Sequence, residues 1–146
     1  MNSAAAIDRA FEKAVAKLES VDGDLSRLSP TVRTFLVVHE AQGVIDNGGY
    51  RYFFGADWPG NTPYGEFVSA YEAIGCVEQA ADLARVVGTF PFSEPHLHAD
   101  ARDAFIEKNY DPDDRTVRGW GDALCGDEVV WKHLADFCLR NSAELL

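Results

Sequence analysis

The sequence predicts an all-α protein, and three observations support that prediction. Apolar residues recur every three or four positions through most of the chain, which is the spacing of one helix face. Gly and Pro, together with Ser and Thr, stand where helices are expected to end and begin. No convincing run alternates apolar and polar residues, so a substantial sheet is not expected. We predict a compact multi-helix array around a central buried helix.

The first predicted helix is amphipathic. Its apolar stripe contains Ile7, Phe11, Leu18 and Val21, while the charged residues lie mostly off that stripe. Gly23 follows the last apolar position and is expected to stop the helix.

The second predicted helix is the central one. Ser29 and Pro30 are suited to the N-cap and the first helical position. The run from Val32 to Ile45 is apolar around most of its circumference, which indicates burial. Asn47-Gly48-Gly49 predicts the end of this helix, before an aromatic segment from Tyr50 to Phe54.

Shorter helices are expected in the second half of the chain. Thr62-Pro63 restarts a helix that Gly75 interrupts, and the next helix closes near Gly88. Ser93 is suited to cap the helix that follows. The expected inward face of that helix consists of Leu97, Ala101, Ala104 and Phe105.

Three features complete the predicted chain. DPDD at 111–114 predicts a turn, a short helix is expected around Val117 to Leu124, and a final helix is expected from about Asp127 to Ser142. No internal repeat or flexible linker divides the 146 residues, so residues 1–146 are expected to form one helical domain.

The cellular setting is also constrained by the sequence. The N-terminal segment is charged where a secretory signal needs an apolar stretch, and no segment approaches the roughly 20 apolar residues of a membrane span. Cys76, Cys125 and Cys138 are an odd number at spacings that fit neither a disulfide framework nor a paired zinc-knuckle pattern. Reduced thiols in a bacterial cytoplasm, and no membrane partner, are expected.

The sequence lacks the common catalytic motifs. It contains no GxxxxGK[ST], GxSxG or HExxH pattern. On a helix, His96, Asp100 and Asp103 would share one face, which leaves a small metal-dependent hydrolase as an alternative function. His39 beside Glu40 is a second acid/base candidate, although adjacent helical residues point about 100° apart. A histidine near a helix start and a core histidine are the simpler interpretations, so neither metal nor cofactor is expected.

Negative charge is concentrated in two parts of the chain. The formal net charge is −11, which argues against direct binding to nucleic-acid phosphates. Residues 36–82 contain seven acidic residues and one basic residue, and residues 93–128 contain ten and four. The acids expected to form rows on helix faces and the adjoining turn are Glu78, Asp82, Asp100, Asp103, Glu107, Asp111, Asp113 and Asp114.

Two interpretations of these acidic rows remain open. Like charges three or four residues apart on a helix cost a few tenths of a kcal/mol. The rows either keep a small protein soluble or occupy the basic groove of a DNA-binding protein. An immunity-type protein that neutralises a basic nuclease is a further form of the second interpretation.

A motif in the centre of the chain carries a family resemblance. It combines a helical Glu, an NGG turn, an aromatic pair and a helix that ends in Ile-Gly. Its residues are Glu40, Asn47, Gly48, Gly49, Tyr50, Phe53, Phe54, Ile74 and Gly75. With this motif, residues 37–87 resemble a bacterial domain-of-unknown-function family typified by a DNA mimic protein. LADFCLRN at 134–141 also fits the closing helix of that family.

The resemblance implies an all-helical fold and a non-enzymatic role. In the family's studied representative, a dimer presents an acidic surface that imitates double-stranded DNA and engages a DNA-binding transcription factor. The implied partner is therefore a basic DNA-binding protein such as a transcription factor, and a homodimer is one implied arrangement. The acidic positions lie outside the motif, so the resemblance does not assign them residue by residue.

Overall fold

Helices make up most of the chain in the computed structural model, which describes residues 1–146. The helices are α1 (Ser3–Ser20), α2 (Pro30–Gly55), α3 (Tyr64–Ala73), α4 (Val77–Val87), α5 (Ala99–Asn109), α6 (Glu128–Arg140) and α7 (Ser142–Leu145). One short antiparallel hairpin joins β1 (Tyr110–Asp111) to β2 (Thr116–Val117). Three 3-10 turns lie at Leu25–Arg27, Pro59–Asn61 and Pro95–Leu97. The all-α prediction is confirmed.

Helix α2 is the central helix, as predicted. Its first half is largely buried, and the helix as a whole contacts α1, α3, α5, α6 and α7. The buried residues of that half are Val32, Phe35, Leu36, Val37, Val38, Ala41, Gln42 and Ile45. Ser29 caps the helix as expected, because its Oγ accepts a hydrogen bond from the Val32 amide at 3.3 Å. The apolar surface that these residues remove from water is the main source of stability in the core.

The Asn47-Gly48-Gly49 sequence forms a kink in α2, whereas the prediction was a helix end. Gly48 and Gly49 leave helical geometry, and the helix then resumes through Gly55. Gly49 has φ +66° and ψ −162°, a conformation that only glycine adopts without strain. A Cβ at Gly49 would overlap the Asp122 carboxylate, which accepts a bond from the Tyr50 amide at 3.4 Å. The kink therefore needs glycine both for backbone angle and for space.

The kink turns the aromatic segment into the core. The rings of Phe53 and Phe54 are fully buried and meet edge to face at 4.9 Å. Tyr50 is buried too, and its hydroxyl donates to Asp82 at 2.6 Å. Burial and this acidic partner raise the pKa of the Tyr50 hydroxyl, which therefore stays protonated and remains the donor.

The Ile74-Gly75 pair makes a second close contact. Gly75 has φ +91°, and a Cβ there would lie 2.9 Å from Nδ1 of His133. The same Nδ1 donates to the carbonyl of Ile74 at 3.1 Å, because a carbonyl oxygen only accepts. Gly75 thus allows α6 to approach the end of α3.

A buried glutamine links the central helix to the chain segment after the hairpin. Gln42 is fully buried, accepts from the Tyr71 hydroxyl at 2.8 Å, and donates to the Leu124 carbonyl at 2.7 Å. It also donates to Asp46, whose carboxylate accepts from the indole of Trp131. Satisfied polar groups of this kind fix one arrangement of the surrounding segments.

Three predictions about the second half of the chain are wrong. Ser93 does not cap α5, because a 3-10 turn intervenes and the helix starts at Ala99. Arg102 and Ile106 face inward, while most of the expected apolar face is exposed. Val117 lies in β2, and residues 118–124 form turns and irregular backbone instead of a helix. The final helix starts close to the predicted position, with Asp127 as its cap.

Two further properties of the chain concern the state of its thiols and the suitability of its helices for crossing a membrane. All three cysteines are free, and burial raises the pKa of Cys76 and of Cys138 to about 11. None of the helices combines the length and the apolar character that crossing a bilayer requires.

The geometry at the kink predicts that Gly49→Ala destabilises the protein by about 2 kcal/mol or more, since backbone strain and the overlap with Asp122 add together. Gly43→Ala is the matched control, because Gly43 lies in the same helix with open space around it and is expected to stabilise by about 0.4–1 kcal/mol. Urea unfolding measures the change in the free energy of unfolding for both variants. Equal effects of the two substitutions would contradict this account of the kink.

His39 lies in an aromatic setting between three elements. Its ring stacks on Phe11 at 4.4 Å and meets Trp131 edge-on at 5.6 Å. Its Nδ1 is buried without a hydrogen-bond partner. Burial lowers the pKa of His39 below its ordinary 6.5, although the nearby Glu40 carboxylate opposes the shift.

Because folding lowers the pKa of His39, the unfolded chain takes up a proton at this residue at a higher pH than the folded chain does. Stability from His39 is therefore present above pH 6.5 and is lost as the pH falls through the lowered pKa. We expect His39→Leu to flatten the fall in unfolding free energy between about pH 7 and pH 5, by at most about 1.4 kcal/mol per pH unit. The exposed His98, changed to Leu, is the control, and urea unfolding at several pH values is the measurement. An unchanged slope in His39→Leu would contradict the assignment.

Candidate partner-binding surface

Helix α5 presents a row of acids to solvent. Asp100, Asp103 and Glu107 are all exposed and follow one another at i, i+3 and i+7, so they share one helix face. Arg102 and Ile106 are the buried residues of the same helix and lie on another face. The helix is therefore held by one side and leaves its acidic side free.

Arg102 is the anchor that fixes α5 in this orientation. Its side chain is only 1% exposed, and Nε donates to the Phe54 carbonyl at 3.0 Å. Nη1 donates to the Pro95 carbonyl at 2.7 Å, and Nη2 donates to the Asp57 carboxylate at 2.7 Å. Asp57 itself is 75% exposed. Carbonyls at a helix C-terminus lack helical partners and favour a cation, so the end of α2 is a natural site for this guanidinium.

A groove of about 640 Å³ runs beside the acidic row, between α2 and α5. Asp103 and Glu107 line it from α5, and Arg51 and Tyr52 line it from the resumed part of α2. Tyr52 is 54% exposed, while the Arg51 guanidinium lies 4.1 Å from the centroid of the Tyr110 ring. Two carboxylates and two aromatic side chains therefore share one open surface.

The acids of the hairpin continue from the end of α5. Asp111 is half-buried and accepts from the amide of Asp113 at 2.9 Å. Asp114 accepts from the amide and the hydroxyl of Thr116, both at 2.8 Å. These bonds shape the predicted turn, and Asp113 and Asp114 stay exposed. The structure thus places the hairpin acids directly after the α5 row.

The two predicted acids on α4 are placed differently. Glu78 is exposed, but α4 packs on α3. The Asp82 side chain is only 23% exposed, accepts from Tyr50, and pairs with Arg85 at 3.0 Å. Arg85 in turn donates to the carbonyls of Gly119 and Trp120, so Asp82 helps to hold the segment after β2. This placement differs from the exposed acidic row expected on α4.

The geometry does not assemble the alternative metal site. His96 lies in the Pro95–Leu97 turn, outside α5, so it does not share a helix face with Asp100 and Asp103. Its ring packs against Tyr64 at 6.1 Å. No three His, Cys, Asp or Glu side chains lie close enough to hold a metal ion together. The expectation of a shared helix face was wrong because the helix begins three residues after His96.

The anchoring role of Arg102 and the groove beside α5 were not predictable from the sequence. An arginine in an acidic segment is expected to be exposed to solvent, and the hydropathy of the segment does not predict its burial. Arg51 did carry a signal, since it is the one basic residue between positions 36 and 82. Its position over Tyr110 depends on a contact between distant parts of the chain, which spacing does not reveal.

Comparison with known proteins agrees with the helical architecture. Residues 26–141 match the model of a family described as DMP19-like protein. Neither a curated protein nor a solved structure matches the chain. The matched region covers α2 to α6, including the kink, the acidic row and the hairpin. The chain belongs to the DMP19-like protein family.

Proposed function

We propose that this protein is a non-catalytic acidic binding protein that occupies the nucleic-acid site of a basic DNA-binding protein, such as a transcription factor. The observation that carries the proposal is the exposed row of Asp100, Asp103 and Glu107 on a helix anchored from its other side by Arg102. Membership of the DMP19-like family agrees with a DNA-mimic type of protein.

The spacing of the row supports the proposal. Asp100 and Glu107 are seven residues apart, which is about 10 Å of helix axis at about 1.5 Å per residue. Asp103 divides that length into two intervals, so neighbouring charges are on average about 5 Å apart along the axis, compared with 3.4 Å along a single DNA strand. The row therefore reaches about two thirds of the linear charge density of one strand, and the hairpin acids follow it in the chain.

The physical basis of binding would be charge complementarity. The Lys and Arg side chains of the partner, which are arranged to bind DNA phosphates, would contact the carboxylates of α5 where the phosphates would otherwise bind. This complementarity accelerates association and selects basic partners. The groove beside the row adds the exposed ring of Tyr52, on which an arginine of the partner can stack. Such an interface weakens as salt shortens the screening length from about 10 Å at 0.1 M to about 3 Å at 1 M.

The test is capture of partners from a native-host lysate on the immobilised protein, followed by elution with duplex DNA. We expect a DNA-binding protein to be captured at low salt and displaced by the duplex. The triple variant Asp100→Asn, Asp103→Asn, Glu107→Gln should weaken that partner's affinity about threefold to 100-fold, since three exposed pairs at about 0.2–1 kcal/mol each contribute about 0.6–3 kcal/mol together.

The matched control removes three exposed acids of α1 that also share one helix face. These substitutions are Asp8→Asn, Glu12→Gln and Glu19→Gln. The control has the same net charge as the triple variant and should keep the wild-type affinity. Equal loss in both variants would show that net charge alone attracts the partner. A captured partner that binds duplex DNA and this protein at once would overturn the proposal.

A further inference from the structure

A small apolar pocket lies between α1, α2 and the Pro59–Asn61 turn. Its volume is about 250 Å³, which exceeds the roughly 150 Å³ of a cavity that holds benzene. The side chains that form most of its wall are Val15, Leu18, Leu36, Val37, Trp58 and Phe67. It is therefore large enough for one aromatic ring with a short chain, and it is separate from the groove beside α5.

The polar groups of the wall are already used inside the protein. The indole Nε1 of Trp58 donates to the carbonyl of Phe53 at 3.0 Å. The hydroxyl of Thr62 donates to the carbonyl of Pro59, also at 3.0 Å. The Trp58 and Phe67 rings lie 5.1 Å apart. The interior of the pocket consequently offers aliphatic and aromatic carbon surface to a ligand.

Glu40 is the one charged residue in the pocket wall. Its side chain is 55% exposed, and no Lys or Arg pairs with it. The nearest basic nitrogen is Nδ1 of His39 at 3.6 Å, and burial of that ring favours its neutral form. The Glu40 carboxylate therefore stands at an apolar pocket without a cation from its own chain.

Glu40 also differs from the other motif residues that the structure explains. Gly49, Tyr50 and Gly75 each make a close backbone or hydrogen-bond contact, whereas the Glu40 carboxylate has only the 3.6 Å approach to Nδ1 of His39. A carboxylate beside aromatic rings is the arrangement that attracts an organic cation, by charge and by cation–π contact. A neutral ligand would leave the carboxylate unused, and an anion would be repelled by it.

We propose that this pocket binds a small primary ammonium ion with an aromatic or aliphatic body, with the ammonium group at Glu40 and the body against the apolar wall that includes Trp58 and Leu36. The inference does not depend on the proposed role of the α5 surface.

The experiment is an NMR titration of the ¹⁵N-labelled full chain with 2-phenylethylammonium, and with 2-phenylethanol as the neutral probe of similar shape. We expect saturable amide shifts confined to the pocket, at positions such as Leu18, Val37 and Phe67, with a Kd of about 1 mM or below. The alcohol should bind about fivefold more weakly, because it lacks the charge that pairs with Glu40.

Three variants make the result specific. Glu40→Gln should weaken the ammonium probe about fivefold and leave the alcohol unchanged, while Leu25→Trp should block both probes by filling the pocket mouth. Glu107→Gln removes the same charge from α5 and should change neither affinity. Equal affinity for the two probes, equal loss in Glu40→Gln and Glu107→Gln, or shifts confined to α5 would each overturn the proposal.

Discussion

The break in helix α2 at Gly48 and Gly49 is the constraint on which the rest of the structure depends. A straight helix would send the segment after Gly49 away from the core, whereas the kink brings Tyr50 to Asp82 and buries the phenylalanine pair. The resumed turns then end close to α5 and present their carbonyls to Arg102. One backbone conformation, available to glycine, thus determines how the acidic helix is attached.

The attachment of α5 balances opposing electrostatic effects. The acids on its outer face repel one another, at a cost of a few tenths of a kcal/mol for each neighbouring pair. A buried guanidinium would be costly by itself, but Arg102 is satisfied by three carbonyls and the Asp57 carboxylate. The polar anchor and the buried side chain of Ile106 hold the helix from within. The acids of the outer face are therefore not needed to attach α5 to the rest of the protein.

Local sequence signals predicted the helix boundaries that are set by N-caps, prolines and glycines. Ser29 caps α2 as predicted, and α6 begins one residue after the predicted start at Asp127, because an N-cap bond is made within three residues. The errors occur where distant residues decide the conformation. At the kink, the Asp122 carboxylate accepts a hydrogen bond from the Tyr50 amide, next to Gly49. In the segment after β2, Gln42 and Arg85 donate to the carbonyls of Leu124 and Trp120, and the segment is not helical.

The candidate surface was predictable to the same extent. Helical spacing predicts that the three acids of α5 share one face, but the exposure of that face depends on the burial of Arg102 and Ile106, which the sequence did not indicate. Spacing does not reveal that Asp82 is engaged by Tyr50, since the two residues meet across 32 positions of sequence. The groove and the pocket at Glu40 likewise arise from packing between separate helices. Tertiary contacts therefore decide which of the predicted acids are free to bind.

The central claim is that the acidic face of α5 and a DNA duplex compete for one site on the same partner. Fluorescence anisotropy of a labelled duplex, prebound to a captured partner and titrated with this protein, measures that competition directly. We expect the anisotropy to fall to the value of free duplex, and the midpoint of the titration to rise when the concentration of labelled duplex is raised. A rise in anisotropy to a plateau would show a ternary complex and would contradict the account.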